Sequence, residues 1–340
     1  MKRARTLKVA RITPEGSEAT LVTFQLQGDD LKKFQFQPGQ YLTISVDIDG
    51  AAHWRCYSIT TQPSDLPNIS VLVKRVANGR VSNWICDNLR PGDPLDVLPP
   101  AGRFTLRSRS RTLAMYAGGS GIAPIYALAR QALQDQKTRL ILFYANRDRA
   151  ATMLQAEIDS LRERMNGRLD VRYWFDAETG HPTPEHLGEL ASGLKDGDVY
   201  LCGPDAFMQA TVAGLHLAGF DSERIYKEDF GAAVADSDDT SADDAGFDGS
   251  ERTLQVQVSG VRHTVAVKIG QTLLSAMLNA GLQVPHACKV GECASCICRL
   301  EEGEVQQMEN SVLDDDDVAQ GLVLACQSRP ISESVRIRFS

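Results

Sequence analysis

Between residues 1 and 105 the chain runs in short stretches dominated by apolar and β-branched residues: 20–26 (TLVTFQL), 40–48 (QYLTISVDI), 69–76 (ISVLVKRV) and 94–100 (PLDVLPP). Pro38-Gly39, Asp49-Gly50, Asn78-Gly79, Pro91-Gly92 and Ala101-Gly102 punctuate them as turn signals. Short strands at this spacing predict an antiparallel sandwich or barrel. From 112 to 230 the period changes, and strand patterns (RTLAMYAG, RLILFYAN, LDVRYWFD, GDVYLCGP) alternate with helical ones (APIYALARQALQDQ, MLQAEIDSLRERMN, DAFMQATVAGLHLAG). That alternation predicts a parallel sheet with helices on its faces, and ligands in such sheets bind at the carboxyl ends of the strands. Residues 231–250 (GAAVADSDDTSADDAGFDGS) carry almost no large apolar side chain and read as a self-repelling, flexible linker. Residues 251–340 open with paired strand patterns (TLQVQVSG, HTVAVKIG) and a helix (TLLSAMLNAG), pass through a cysteine-rich loop and end in short strands. The expected boundaries are 1–108, 111–230, 231–250 and 251–340.

A length of 340 residues fits two or three domains. With 43% hydrophobic and 24% charged residues, collagen, coiled coil and wholesale disorder are excluded. No stretch nears the roughly 18 consecutive apolar residues of a membrane helix. The basic N-terminus has no apolar segment behind it, so no secretory signal is expected and the cytoplasm is the expected compartment. Charge is uneven. Residues 1–111 hold 16 Lys+Arg against 10 Asp+Glu, 112–230 hold 12 against 17, and 231–340 hold 8 against 17. The acidic end argues against nucleic-acid binding and suggests docking on a basic partner surface. Such docking predicts that rates with the partner depend on ionic strength.

Of eight cysteines, Cys288, Cys293 and Cys296 have the spacing C-x4-C-x2-C, and Cys326 follows 29 intervening residues later. In a chain without an export signal, this crowding points to a metal or cluster rather than four disulfides. It is the plant-type spacing of a [2Fe–2S] cluster, where two irons need two thiolates each. A structural zinc site would call for a second C-x2-C or a His pair, and neither is present. Gly291, Ala294 and Ser295 let the backbone wrap closely enough for N–H groups to reach sulfur. Cys298 falls outside the spacing and reads as a small core residue.

Two further motifs bear on ligands. The turn AGGSGIAP (117–124), with Gly118, Gly119, Ser120 and Gly121, joins a strand to a helix and lets backbone approach a pyrophosphate. It is not G-x-G-x-x-G, and tight packing alone would also explain it. LCGPDAF (201–207) ends another strand in the small, rigid Cys202-Gly203-Pro204. In the first segment, WRCYSIT (54–60) places Arg55 and Tyr57 on one face of a strand and Ser58 on the other. Arg55 can clamp a phosphate, Tyr57 can pack on a flat ring, and Ser58 can reach a ring nitrogen. Gly79 and Ser82 form G-x-x-S ahead of a helical segment, and PPAGRF (99–104) follows.

The C-terminal segment resembles a plant-type ferredoxin domain of β-grasp fold. The glycine turn with the CGP strand resembles the pyridine-nucleotide domain of the ferredoxin–NADP reductase superfamily, and R-x-Y-S with G-x-x-S and PPAGRF resembles its flavin barrel. Nearly the whole chain is thus similar to FAD/[2Fe–2S] oxygenase reductases, nearest in motif detail to those of 3-ketosteroid 9α-hydroxylase and phenylacetyl-CoA epoxidase type. The resemblance implies an antiparallel Greek-key flavin barrel, a parallel-sheet nucleotide domain and a β-grasp ferredoxin domain. It assigns cofactor binding to Arg55, Tyr57, Ser58, Lys74, Gly79, Val81 and Ser82, to Gly118, Gly119, Ser120 and Gly121, and to Cys202, Gly203 and Pro204. Catalytic positions are Ser58, Cys202 (near the nicotinamide) and Phe230, although Phe230 reads equally as a domain-end hydrophobe. The single G-x-x-S implies FAD rather than FMN. NADH would pass a hydride to the flavin, and single electrons would leave through the cluster to a separate oxygenase, a Rieske-type hydroxylase above all. No Rieske or haem segment is present in the chain. NADPH stays open, because Asn146, Arg147 and Arg149 lie near the expected ribose. Other acceptors (a di-iron epoxidase, a desaturase, a hybrid-cluster protein), a diaphorase without a dedicated partner, and a redox-sensing binding module remain as alternatives; neither nucleic acid nor a membrane is an expected partner, and a monomer is expected.

Overall fold

The computed structural model describes residues 4–107, 112–194, 197–228, 251–258, 260–286 and 288–339. The 231–250 segment and Phe230 lie outside the described residues. Packing divides the chain into two compact units, one of residues 5–42 with 57–230, the other of residues 43–56 with the C-terminal part of the chain.

The N-terminal sheet contains β1 (Arg5–Glu15), β2 (Ala19–Gln25), β3 (Tyr41–Ile48), β4 (Ala51–Ser58), β5 (Asn68–Lys74) and β6 (Pro94–Ala101), in the order β4-β3-β6-β1-β2-β5. β1 pairs antiparallel with both β2 and β6, and β2 with β5. Val22, Phe24, Ile69, Val71 and Val73 are fully buried, and β5 is buried on both faces from Ile69 to Val73. A one-turn helix, α1 (Asp30–Lys33), and a longer one, α2 (Arg80–Asn88), complete this segment.

The middle segment holds β7 (Thr112–Gly118), β8 (Arg139–Asn146), β9 (Leu169–Phe175), β10 (Asp198–Cys202) and β11 (Ile225–Glu228), ordered β11-β10-β7-β8-β9. The pairings are parallel. β7 and β10 are buried along almost their whole length, as strands covered on both faces are. Helices α3 (Ile122–Ala132), α4 (Gln155–Arg164), α5 (Asp176–Thr179), α6 (Pro184–Ala191) and α7 (Asp205–Leu217) supply that cover. α6 and the edge strand β11 stand where the hydrophobic pattern shows only loop and domain end. The Tyr116 hydroxyl donates to the Leu187 carbonyl at 2.7 Å and ties α6 to the sheet. The chain leaves β7 toward β8 and returns to its other side as β10, so the sheet reverses direction between β7 and β10.

The C-terminal segment has β12 (Glu251–Val258), β13 (Val261–Lys268), α8 (Leu273–Asn279), β14 (Ile297–Glu302), β15 (Val305–Gln307), α9 (Asp315–Ala319), β16 (Leu322–Leu324), β17 (Ser328–Pro330) and β18 (Ser334–Arg338). Its main sheet, β13-β12-β18-β14-β16, is antiparallel except for the parallel β12–β18 pair. A helix packed on such a mixed sheet is a β-grasp arrangement. Within the acidic run Asp314–Asp317, Asp314 and Asp317 form a capping box for α9, while Asp315 and Asp316 are exposed.

A clip between the first and middle segments positions α3. Arg130 donates two hydrogen bonds to the Asp65 carboxylate, at 2.7 and 3.2 Å, and the Gln62 amide donates to the Ala127 carbonyl at 2.8 Å. Burial alone would raise the Asp65 carboxyl, but the bonds from Arg130 and from the Gln62 N–H outweigh it and hold the group below its usual range. A carboxylate depressed in the folded state stabilises fully above its unfolded value, and that stability is lost as pH falls through the folded one. Asp65→Asn is therefore expected to cost about 1 kcal/mol at neutral pH and to converge with the wild type as pH falls through the depressed folded-state value. Urea unfolding across pH checks this; a pH-independent difference contradicts it.

Candidate functional site

Three places carry the residues singled out by the sequence. The first is the carboxyl end of the parallel sheet. β7 ends at Gly118, a short 3-10 turn runs over Gly119–Gly121, and α3 follows. A Cβ on Gly121 would sit 2.1 Å from the Cys202 carbonyl oxygen, and one on Gly203 would sit 3.0 Å from the Gly118 backbone. Glycine is thus required for the turn and the Cys202–Pro204 strand end to close on each other. Cys202 is fully buried. Lys74, at the end of β5, reaches over this turn, its Nζ 3.4 Å from where a Gly119 Cβ would stand. The turn lies at the point where the sheet reverses, the place where doubly wound sheets take ligands.

The second is β4. It carries Arg55 and Tyr57, both half-buried, and the buried Ser58. The Arg55 guanidinium donates to the Trp54 carbonyl at 2.8 Å. In the same unit as Tyr57, Gly79 is the N-cap of α2, and no side chain caps its first-turn N–H groups. Uncapped first-turn amides suit a phosphate. The Ser82 hydroxyl is engaged locally, accepting the Val76 N–H at 3.2 Å, and Val81 is a core residue, 2% exposed.

The third is the cysteine loop. Lys289, Gly291 and Ala294 all adopt left-handed backbone, with φ of 56°, 79° and 60°. A Cβ on Gly291 would lie 2.8 Å from the Glu309 carbonyl oxygen. This winding brings backbone N–H groups to sulfur: Glu292 and Val290 donate to Cys288 Sγ at 3.3 and 3.5 Å, and Cys288 donates to Cys293 Sγ at 3.4 Å. Among the four thiols, Cys288 meets Cys293 and Cys296 meets Cys326, and Cys293 also meets the Cys56 thiol. Bonding from its pair partner, then burial, raises Cys288 and Cys296 above the ordinary thiol range. So many sulfurs in one place ionise together only around a cation. Among the described residues no three Cys, His, Asp or Glu side chains group around a single point. Two pairs, with amides on sulfur, fit a two-iron cluster better than one tetrahedral zinc. None of the eight cysteines is in a disulfide. Cys298 is buried, with its thiol 3.8 Å from the Val323 carbonyl oxygen.

One residue here was not read from the sequence. Gln327, buried beside Cys326, donates through Nε2 to the Lys289 carbonyl at 2.9 Å and accepts the Glu309 N–H at 3.4 Å. It holds the loop to the segment behind it. Its place directly after the last cysteine was the available signal.

Family models match three parts of the chain: "Oxidoreductase FAD-binding domain" over residues 6–106, "Oxidoreductase NAD-binding domain" over 115–213, and "2Fe-2S iron-sulfur cluster binding domain" over 256–330. The chain is 34% identical, over 98% of its length and 96% of the relative's, to the 3-ketosteroid-9-alpha-monooxygenase ferredoxin reductase component of Rhodococcus rhodochrous. It is 31% identical to a 1,2-phenylacetyl-CoA epoxidase component of Escherichia coli, over 98% of this chain and 97% of that one. The solved structure of phthalate dioxygenase reductase shares the fold, with a TM-score of 0.60 and 23% identity over 99% of this chain and 98% of its own.

Proposed function

Because the chain belongs to the family of FAD- and [2Fe–2S]-containing oxygenase reductases, we propose that it draws electrons from NADH and hands them one at a time to a separate Rieske-type oxygenase in the cytoplasm. Bound flavin would supply the exchange between a hydride pair and single electrons, and the cluster the one-electron outlet. The observation carrying this reading is the closure of Gly118–Gly121 on Cys202–Pro204 beneath Lys74. A ferredoxin or a redox sensor needs no such turn.

The residues take the following parts. The Gly118–Gly121 backbone and the start of α3 receive the nucleotide pyrophosphate, and Lys74 adds a positive charge there. Cys202-Gly203-Pro204 forms the floor for the nicotinamide. Tyr57 and Ser58 face the flavin ring, while Arg55 and the first turn of α2 hold its phosphates. Phe230 remains assigned by resemblance. Cys288, Cys293, Cys296 and Cys326 would hold the cluster. Exposed acidic side chains of the C-terminal domain, Asp315 and Asp316 among them, face the oxygenase. Among the described residues no helix is long and apolar enough to cross a membrane.

Anaerobic addition of NADH to the purified holoprotein tests the reading. Flavin and cluster absorbance are expected to bleach together; a colourless, zinc-containing protein contradicts it.

The choice of NADH rests on the arginines after β8. Arg147 is held by Asp148 at 2.9 Å and Glu18 at 3.1 Å. Arg149 makes a forked pair with Glu178 at 2.8 and 3.1 Å, and its guanidinium lies 4.4 Å from the Phe175 ring centroid. Both are committed to protein partners rather than to a 2′-phosphate. NADH is expected to exceed NADPH in kcat/KM by roughly tenfold or more, and Glu178→Ala, by releasing Arg149, to narrow that ratio about threefold. Steady-state kinetics with both nucleotides decides, and equal use by the wild type contradicts the assignment.

A further inference from the structure

Cys56 stands between Arg55 and Tyr57 on β4, yet its thiol meets the cluster loop. Its Sγ lies 3.5 Å from the Ser295 hydroxyl and 3.9 Å from the Cys293 carbonyl oxygen, toward which its S–H points. On its own hairpin it lies 3.5 Å from the Thr43 hydroxyl. Ser295 is buried and falls between two of the cluster cysteines, Cys293 and Cys296. The hairpin of residues 43–56 and the C-terminal domain form one compact unit. Behind the loop, Gln327 fixes its other side through the Lys289 carbonyl. The loop is therefore gripped from two directions, once by its own domain and once by the strand of the flavin motif.

The chemistry of the contact suits a seat. A thiol is small and polarisable and makes weak hydrogen bonds, so it sits beside two hydroxyls and donates to a carbonyl without demanding one geometry. A larger side chain at this position would meet the buried Ser295 and push the loop away. The loop holds three of the four cluster thiols, so its displacement moves the cluster as a whole.

Resting on the reductase reading above, we propose that Cys56 is the positioning residue that seats the cluster loop on the hairpin of residues 43–56, and that flavin-to-cluster transfer occurs with the loop so seated. Each transfer oxidises the flavin by one electron and reduces the cluster by one. Two transfers discharge one NADH, whose hydride is accounted for as two electrons and a proton. The C-terminal domain does not need to leave the hairpin between them.

The test uses the full-length protein loaded with FAD and cluster. In Cys56→Phe, NADH is expected to bleach the flavin at the wild-type rate and dithionite to give the full cluster EPR signal. Stopped-flow transfer from flavin to cluster is expected to slow by roughly tenfold to a hundredfold, the effect of an ångström-scale misplacement. Cys56→Ser, which keeps size and hydrogen bonding, restores it. Ser295→Cys supplies an independent readout. Mild oxidation with diamide is expected to cross-link positions 56 and 295, identified by peptide mass, and the cross-linked protein is expected to transfer at a near-wild-type rate. The proposal is overturned if the cross-linked protein no longer transfers while its flavin still bleaches and its cluster still reduces with dithionite. It is equally overturned if no cross-link forms, or if Cys56→Phe transfers like the wild type. Should Cys56→Phe assemble no cluster, the rate in Cys56→Ser and the cross-link decide. Failure of NADH to bleach the wild-type flavin would instead overturn the reductase reading, so the two failures are distinct.

Discussion

Cys296→Ser is expected to lower NADH-driven reduction of cytochrome c, or of the oxygenase, by roughly a hundredfold or more, because it would remove one of the four thiolates proposed to hold the cluster. Cys296 is 2% exposed and its thiol pairs with that of Cys326, while its carbonyl accepts the Ala325 N–H at 3.1 Å. The two ligands are thus laced together through both side chain and backbone. A serine hydroxyl is a harder, more weakly held ligand, and Cys298, the nearest thiol in sequence, is buried with its sulfur on the Val323 carbonyl. Ferricyanide, which accepts electrons directly from flavin, should still be reduced by NADH within about twofold of the wild-type rate. Cys298→Ser is the control. It should keep the cluster and the cytochrome c rate while costing on the order of 1 kcal/mol for a buried hydroxyl in place of a thiol. Iron content, the visible spectrum and the two acceptor assays separate the outcomes. Full iron content in Cys296→Ser, or loss of iron in Cys298→Ser, would show that the ligand set has been misassigned.

That these thiols come together was legible because a cysteine loop of this spacing is a local constraint. Three sulfurs must leave one short loop at fixed spacing, and the left-handed turns at Lys289, Gly291 and Ala294 are the backbone cost of doing so. The glycine turn was legible for the same reason, since a Cβ at Gly121 has nowhere to go. The alternating strand and helix pattern of the middle segment was carried by apolar runs that both faces of a parallel sheet demand. What escaped lacks such runs. β11 is a half-buried edge strand of four residues that takes its position from β10. α6 is short, though Thr183 as its cap and Pro184 in its first turn had marked its start. The Asp314–Asp317 run looks like a uniform acidic face in sequence, but two of its four carboxylates are turned back to cap α9. The contact between Cys56 and Ser295 joins positions 239 residues apart. No local pattern encodes it; it exists because a hairpin from one end of the chain packs with a domain from the other.

The glycine turn carries the second large effect. Gly121→Ala is expected to slow flavin reduction by NADH by roughly a hundredfold, because the added Cβ would meet the Cys202 carbonyl oxygen at 2.1 Å and its carbon at 2.4 Å. Neither atom is the end of a flexible side chain. Both belong to β10, which is paired with β7 from Asp198 to Cys202 and buried along its length. Relief must come from parting the two strand ends, and that parting would widen the floor proposed for the nicotinamide. Overpacking of this kind costs about 1–3 kcal/mol in stability, so a lower melting temperature is expected beside the slower reduction. Gly119→Ala separates the two effects. Gly119 has a φ of 52°, so alanine there is strained, but the nearest atom to its Cβ is the mobile end of Lys74 at 3.4 Å. It should lose stability on the order of 1 kcal/mol and slow reduction far less. In both variants dithionite should still reduce the cluster, since the thiol loop belongs to the other compact unit. Stopped-flow bleaching at saturating NADH gives the rates, and thermal unfolding gives the stabilities. If both glycine variants lose rate in proportion to stability alone, the turn is a packing element and the nucleotide must be held elsewhere. If Gly121→Ala loses far more rate than its stability accounts for, the closure of the turn on Cys202 is what places the nicotinamide.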